Sequence, residues 1–132
     1  MQPELISRRQ FVRLLLTGMG VTALAACTNQ DEQYVVKIDS QNHYLPPSLT
    51  IPVGTLVTWH NIGILPHTAT CDPTKAQDTS HVLLPEKAQA WDSGQLYPGQ
   101  TWTYRFDTPG SYVYFSRYRE SAAMLGSIAV VE

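Results

Sequence analysis

From Tyr34 onward, short runs of β-branched and aromatic residues alternate with turn-forming residues. The clearest run is Thr101-Trp-Thr-Tyr-Arg-Phe106, in which polar and aromatic residues alternate strictly. Successive side chains of a strand point to opposite faces, so this period of two predicts a strand with one buried face. We therefore expect Trp102, Tyr104 and Phe106 to face the core.

Seven further segments have the composition of short strands and are bounded by Gly, Pro or Asp. They are Tyr34–Asp39, Leu49–Val53, Thr55–His60, His67–Cys71, Trp91–Gly94, Ser111–Phe115 and Ser127–Val131. The segment Asp72–Glu86 contains Pro73 and Pro85 and predicts a long loop. Seven or eight strands in about 100 residues, without a convincing helix, predict an all-β sandwich.

The composition narrows the class of protein further. The chain has 132 residues, of which 15% are charged and 43% hydrophobic, which is typical of one globular domain. A formal net charge of −2 leaves no basic excess for phosphates, so nucleic acid is not an expected partner. Two cysteines, Cys27 and Cys71, cannot form a disulfide framework or a four-thiolate metal site. No uninterrupted apolar run is long enough for a polytopic membrane protein.

The first 26 residues have the pattern of an export signal. Three arginines precede a stretch of mostly apolar and small residues from Leu14 to Ala26. A buried amphipathic helix is the alternative, and Gly18 and Gly20 within the apolar stretch disfavour it. Residues 1–26 are therefore predicted to be a signal peptide.

Two motifs refine this prediction. The segment from Ser7 to Arg13 resembles the twin-arginine export motif. Leu24-Ala-Ala-Cys27 resembles a bacterial lipobox, whose cysteine is lipidated and becomes the first mature residue. Residues 27–33 are then a lipidated tether, and residues 34–132 form the domain. We expect this lipid anchor to bind the protein to a membrane. The domain would then lie in the periplasm or on the outer face of the cytoplasmic membrane. Several acyl chains on Cys27 would hold the domain stably.

Several motifs in the domain resemble the cupredoxins, specifically the plastocyanin-like blue copper proteins. The resemblance covers residues 34 to 132 and rests on Pro52-Val-Gly54-Thr-Leu-Val-Thr-Trp59-His-Asn61, Pro66-His67, Ser93-Gly94, Pro98-Gly99, Phe106-Asp-Thr-Pro-Gly-Ser-Tyr-Val-Tyr-Phe115 and Met124-Leu-Gly-Ser-Ile-Ala-Val130. It implies a Greek-key β-sandwich of about eight strands, and single-electron transfer by a buried copper near one end.

The family's copper ligands map only in part onto this chain. One family ligand is a His after the Trp-x-Asn strand, and His67 stands at that place. The others lie in a late loop reading Cys-x-x-His-x-x-x-x-Met-x-Gly, which matches residues 116–126 without a gap. Met124 stands at the Met position, but Ser116 replaces the Cys and Arg119 replaces the second His.

These two replacements oppose type 1 copper. Such a centre needs two imidazoles and a soft thiolate, with a weak axial Met. The hydroxyl of Ser116 is a hard, protonated ligand, and Arg119 adds a permanent positive charge without any acceptor atom. We therefore expect a copper-poor binding or accessory module, in which the family's cofactor, copper, has an incomplete ligand set. The alternative is an electron carrier that holds copper through an atypical ligand set.

The other candidate metal ligands are Cys71 and the remaining histidines. Cys71 lies four residues beyond His67, about 13 Å along an extended strand, so packing in the sheet is its expected role. His43, His60 and His81 have no spacing typical of a metal site. Met124 and Gly126 also fit ordinary packing and a closing turn before the last strand.

An enzyme is not expected. In cupredoxin geometry Ser116 and His67 would lie close together, as in part of a hydrolase nucleophile arrangement. The sequence has no Gly-x-Ser-x-Gly motif and no identifiable acidic residue to orient the His. The acidic residues, including Asp72, Asp78, Glu86 and Asp92, are expected on a solvated surface. A monomer with a redox or envelope protein as its partner is the expected assembly.

Overall fold

The computed structural model of the chain describes residues 34–132. The predicted signal peptide (1–26), the tether (27–33) and the lipidation site Cys27 lie outside the described residues. Within residues 34–132, no helix is long and apolar enough to cross a membrane.

The described residues form nine strands, which we number in chain order. They are β1 (Val35–Ile38), β2 (Tyr44–Leu45), β3 (Ser48–Pro52), β4 (Thr55–Asn61), β5 (Thr70–Cys71), β6 (Trp91–Asp92), β7 (Thr101–Phe106), β8 (Gly110–Phe115) and β9 (Leu125–Val131). Three short 3₁₀ helices lie between them, at Pro73–Lys75, Thr79–His81 and Glu120–Ala122.

The strands form two sheets. One has four strands in the order β2-β1-β4-β7, and the other has five in the order β3-β9-β8-β5-β6. The pairs β1/β4 and β3/β9 are parallel, and the other pairs are antiparallel. Four of the seven strand pairs join strands that are not consecutive in the chain: β1/β4, β4/β7, β3/β9 and β5/β8. The predicted all-β sandwich is confirmed, with one strand more than the eight expected.

The core lies between the two sheets. Alternate residues of β1 and β4 are fully buried, among them Val36, Val57 and Trp59, and they cluster with Tyr114 and Ile128 from the five-stranded sheet. On β7, Phe106 is buried, and Trp102 and Tyr104 pack against the core while half-buried. The expected core face of β7 is thus confirmed.

Three expectations about local structure need correction. Strand β2 was not expected, because two residues are too few to show an alternation. The Asp72–Glu86 loop contains two short 3₁₀ helices, whose first turns are capped by the side chains of Asp72 and Asp78. Gly126 lies inside β9 rather than in a turn, and a Cβ at this position would overlap the ring of Tyr114.

Candidate metal centre

The segment that carries His67 is fixed by an amide and by a β-bridge. The amide of Asn61, at the end of β4, donates to the carbonyls of Leu65 (2.8 Å) and Leu96 (2.9 Å). Its oxygen accepts the N–H of Gly63 at 2.9 Å. His67 and Leu96 then exchange backbone hydrogen bonds of 3.1 and 2.8 Å. Asn61 therefore sets the position of the histidine from the core side.

Ser116 directly follows β8 and lies against the histidine. Its Oγ is 3.0 Å from Nδ1 of His67, and the N–H of Thr68 donates to the same oxygen at 3.3 Å. The backbone N–H of Ser116 donates to the carbonyl of Met124 at 3.3 Å. Ser116 and His67 are 0% and 1% exposed, so the pair that the resemblance placed together is closed off from solvent.

Tyr44 also lies beside these residues, although no sequence motif pointed to it. Its phenol donates to the carbonyl of Thr68 at 2.5 Å, beside the N–H group that Thr68 donates to Ser116 Oγ. Burial and the neighbouring Tyr114 raise the pKa of Tyr44 well above its ordinary value, so it stays a neutral phenol. The family motifs in this sequence begin after Tyr44, at Pro52, so none of them includes this residue.

His67 is held in its uncharged form. Burial lowers the pKa of His67, and the positive charge of Arg119 lowers it further, against a partial opposing effect of Asp39. Arg119 is itself half-buried and donates to the carbonyl of Tyr118 at 3.3 Å. A cation close to His67 would therefore meet a permanent positive charge nearby.

Met124 ends the late loop. It is 4% exposed and is part of the hydrophobic core. It also lines a surface cavity of about 240 Å³, together with Tyr44 and His43. The side chain of His43 is mostly exposed and lies 3.4 Å from the carboxylate of Asp39.

The late loop is fastened by a buried carboxylate that the sequence analysis did not single out. Glu120 is 3% exposed, and its carboxylate accepts the backbone N–H groups of Gln77 (2.9 Å) and Asp78 (3.0 Å). Nδ1 of His81 lies 3.0 Å from the same group. The only sequence signal is an acidic residue at the start of the 3₁₀ helix Glu120–Ala122.

The remaining candidate ligands lie apart from His67. Cys71 is buried, and its thiol is directed at the carbonyls of Leu83 (3.3 Å) and Val113 (3.5 Å). Burial, with a contribution from Asp72, raises the pKa of Cys71 to about 12, so the thiolate is disfavoured. Its expected packing role is confirmed. Among residues 34–132, no three His, Cys, Asp or Glu side chains form a group that could hold a metal ion.

One acidic residue departs from the expected solvated surface. Asp92 is only 12% exposed at its side chain and accepts the hydroxyl of Thr70 at 2.8 Å. Its carboxylate also pairs with Lys75 at 2.8 Å and lies 3.5 Å from Arg117. Lys75 and Arg117 thus compensate the charge of Asp92. The contact with Arg117 also joins β6 to the start of the late loop.

Comparison with known proteins agrees with this architecture. The family model described as "Copper binding proteins, plastocyanin/azurin family" matches residues 30–131. The chain belongs to this family.

The relatives of the chain include plastocyanins and a solved cupredoxin. A plastocyanin from Synechococcus sp. (strain JA-2-3B'a(2-13)) is 33% identical over 96% of this chain and 95% of its own length. A chloroplastic plastocyanin from Tetradesmus obliquus is 33% identical over 64% of this chain, and the match spans 56% of that protein. The purple cupredoxin from Nitrosopumilus maritimus has a TM-score of 0.57 at 25% identity, covering 74% of this chain and 99% of its own.

The described residues around His67 place an imidazole beside a hydroxyl, and the one described cysteine, Cys71, is directed at two backbone carbonyls. The imidazole of His67 and the thioether of Met124 remain, but the atom beside His67 is the hydroxyl oxygen of Ser116. A hydroxyl does not supply the soft anionic ligand of a blue copper site. The Nδ1 atom of His67 is also already engaged in a hydrogen bond.

Proposed function

We propose that the chain is a membrane-tethered, extracytoplasmic member of the plastocyanin/azurin family that acts as a copper-poor binding or accessory module. The observation that carries the proposal is the buried hydrogen bond of 3.0 Å between Ser116 Oγ and His67 Nδ1. This bond gives Ser116 Oγ and His67 Nδ1, the atoms at two family ligand positions, a partner in each other. Buried polar groups need such partners, so the domain completes this part of its core without copper.

The charge near the cluster supports the same proposal. Metal binding requires a neutral imidazole and, for blue copper, an anionic thiolate to offset the metal's charge. Here the imidazole of His67 is neutral, and the charged group that most affects its pKa is the cation Arg119, which outweighs the opposing effect of Asp39. A Cu(II) ion at His67 would thus meet no thiolate and would be repelled by Arg119.

The tether and location are part of the proposal. The twin-arginine-like segment at Ser7 to Arg13 and the lipobox-like segment ending at Cys27 support export followed by lipidation. Loss of residues 1–26 removes three arginines and one glutamate, which takes the formal net charge from −2 to −4. The proposed module is monomeric, and its partner is a redox or envelope protein at the membrane surface.

An electron carrier with an atypical ligand set is the second candidate, and family membership favours it. It requires a thiolate, and Cys71 is the only described cysteine. The thiol of Cys71 lies within hydrogen-bonding distance of two backbone carbonyls, and its pKa of about 12 keeps it protonated. The local geometry therefore supports the copper-poor module better.

Titration of the purified mature protein with Cu(II) distinguishes the two candidates. We expect a colourless protein that binds copper weakly or not at all. His67→Ala is the matched variant, because copper that it still retains is bound elsewhere, for example at the exposed His43. One tightly bound equivalent with an intense blue thiolate band, lost in His67→Ala, would establish the carrier and refute the module.

A further inference from the structure

We propose that Trp59, Trp91 and Trp102 carry single oxidising equivalents through the core and deliver them to the phenol of Tyr104. When a diffusing oxidising radical removes one electron from an indole of this group, the resulting radical moves to the surface phenol and does not stay in the core. This activity is independent of the proposed function, because no metal takes part in it.

The four rings form one continuous group. Measured between ring centroids, Trp91 lies 5.3 Å from Trp59 and 5.9 Å from Trp102, and Trp59 lies 5.5 Å from Trp102. Tyr104 packs on Trp91 at 5.3 Å and on Trp102 at 5.5 Å, with interplanar angles of 29° and 17°. The group contains all three tryptophans of the chain, and each transfer within it is between neighbouring rings.

The indole N–H groups of Trp59 and Trp91 have an unusual environment. Both Nε1 atoms are buried and have no hydrogen-bond partner among the described residues, although a buried indole N–H ordinarily finds one. Tyr114 packs against both rings at 5.4 and 5.6 Å, but a neutral phenol is too weak a base to take up a proton. An oxidised indole is a much stronger acid than a neutral one, and these two have no base to receive the proton.

The absence of a proton acceptor at these two indoles keeps the oxidising equivalent mobile. A tryptophan radical that retains its proton is a radical cation, which is a strong oxidant and readily regains an electron from a neighbouring ring. The radical is therefore not trapped at Trp59 or Trp91. It is trapped where the loss of an electron can be accompanied by the loss of a proton.

Tyr104 provides such a place. Its ring is half-buried and lines a surface cavity of about 260 Å³, together with Asp107 and Lys87. The phenol gives one electron to the indole radical cation and one proton to solvent, which restores the neutral indole and leaves a neutral phenoxyl radical. Trp102 also reaches the surface, but a phenol that can release its proton is easier to oxidise than an indole, so the transfer ends at Tyr104.

Two other tyrosines separate the requirements for this role. Tyr112 lines the same cavity as Tyr104, but its described ring contact is with Phe106, at 5.1 Å, and a phenyl ring resists oxidation under these conditions. Tyr114 has the opposite combination, because it contacts Trp59 and Trp91 but is 0% exposed. Tyr112 is thus the control for ring contact, and Tyr114 is the control for access to solvent.

Pulse radiolysis of the purified mature protein, without added metal, tests the transfer to Tyr104. Azide radicals at neutral pH oxidise indoles in preference to phenols, and Trp102 is the indole that they can reach. We expect the absorption of the tryptophan radical to decay while that of a tyrosyl radical grows, with one first-order rate constant that is independent of protein concentration. Tyr104→Phe should abolish this coupled growth, and Tyr112→Phe and Tyr114→Phe should retain it.

Two results of this experiment would overturn the proposal: coupled growth that survives in Tyr104→Phe, or no coupled growth in the wild type. Each of the three substitutions keeps the aromatic ring and removes only a hydroxyl. A general loss of packing would also appear in Tyr112→Phe and Tyr114→Phe, so it cannot imitate the expected pattern.

The part played by the buried indoles is tested in Trp102→Phe, whose remaining tryptophans are Trp59 and Trp91. A laser flash that photoionises indoles, with a scavenger for the ejected electron, creates the radical in the core. We expect the spectrum of the protonated radical cation first, and then first-order growth of a tyrosyl radical that is lost when Tyr104→Phe is added. Immediate formation of the neutral tryptophan radical would refute the lack of a proton acceptor, and absence of tyrosyl growth would refute transfer out of the core.

Discussion

Phe106 shows how one aromatic residue joins the two sheets. It is 1% exposed, and its ring lies among four others with centroid distances between 5.1 and 6.3 Å. These neighbours come from both sheets: Trp59, Trp91, Tyr104 and Tyr112. Removing the ring would leave a cavity that so many rigid neighbours cannot fill.

We therefore expect Phe106→Ala to lower the free energy of unfolding by about 3–5 kcal/mol. Thr103 lies on the opposite, exposed face of β7, where its hydroxyl bonds that of Thr58 at 2.7 Å. Thr103→Ala removes only this exposed cross-strand bond and should cost less than about 1 kcal/mol. Urea denaturation of both variants measures the difference, and equal losses would show that the burial of β7 is wrongly assigned.

At the candidate site, the positions of some residues could be predicted from the sequence and those of others could not. Ser116 could be placed beside His67 from sequence because both stand at recognisable motif positions. Tyr44 could not, because it lies in a two-residue strand without periodicity. Its hydrogen bond to the carbonyl of Thr68 joins residues 24 positions apart, and no local pattern encodes such a contact.

At the scale of elements, the long strands were predictable and the connections were not. The alternation in β4 and β7 reflects burial of one face, which the order of residues records directly. The loop between β5 and β6 is instead ordered by distant partners. The carboxylate of Glu120, more than 40 positions away in sequence, binds the N–H groups of Gln77 and Asp78.

This contact predicts a pH-dependent stability. Burial raises the pKa of Glu120, but hydrogen bonds from Gln77, Asp78 and His81 lower it more, and the net pKa is below its ordinary value. A carboxylate with a lowered folded-state pKa contributes stability above its unfolded pKa of about 4.3 and loses it as the pH falls through the folded value. Glu120→Gln should therefore cost about 1.5–3 kcal/mol near pH 7.

The difference between wild type and Glu120→Gln should shrink as the pH falls below about 4, where the wild-type carboxyl also becomes protonated. Glu86 is the matched control, because it is an exposed glutamate in the same loop, and Glu86→Gln should change stability by less than about 0.5 kcal/mol. Chemical denaturation between pH 3 and pH 8 measures both variants. A Glu120→Gln deficit that does not vary with pH would contradict the ionic role of this residue.

At the scale of the whole molecule, the described residues begin beside the middle of β4, before the strand end that positions His67. β1 runs parallel to β4, with Val35 beside Thr58 and Ile38 beside Asn61. Asn61 positions His67, and the carbonyl of Tyr34, just before β1, accepts the N–H of Thr58 three residues earlier in β4.

The predicted tether can be tested in cells of a host with a twin-arginine pathway. Replacing Arg8 and Arg9 with Lys should leave the precursor in the cytoplasm, because the paired arginines are the recognised feature of the motif. Arg13→Lys, which preserves the pair, is the matched control and should be exported normally.

Cys27→Ala should be exported but released in soluble form, because it lacks the acylated thiol that anchors the chain. Fractionation followed by immunoblotting measures all three. If the Arg8/Arg9 and Cys27 variants both remain membrane-bound outside the cytoplasm, neither motif has the predicted role, and the domain must reach its location by another route.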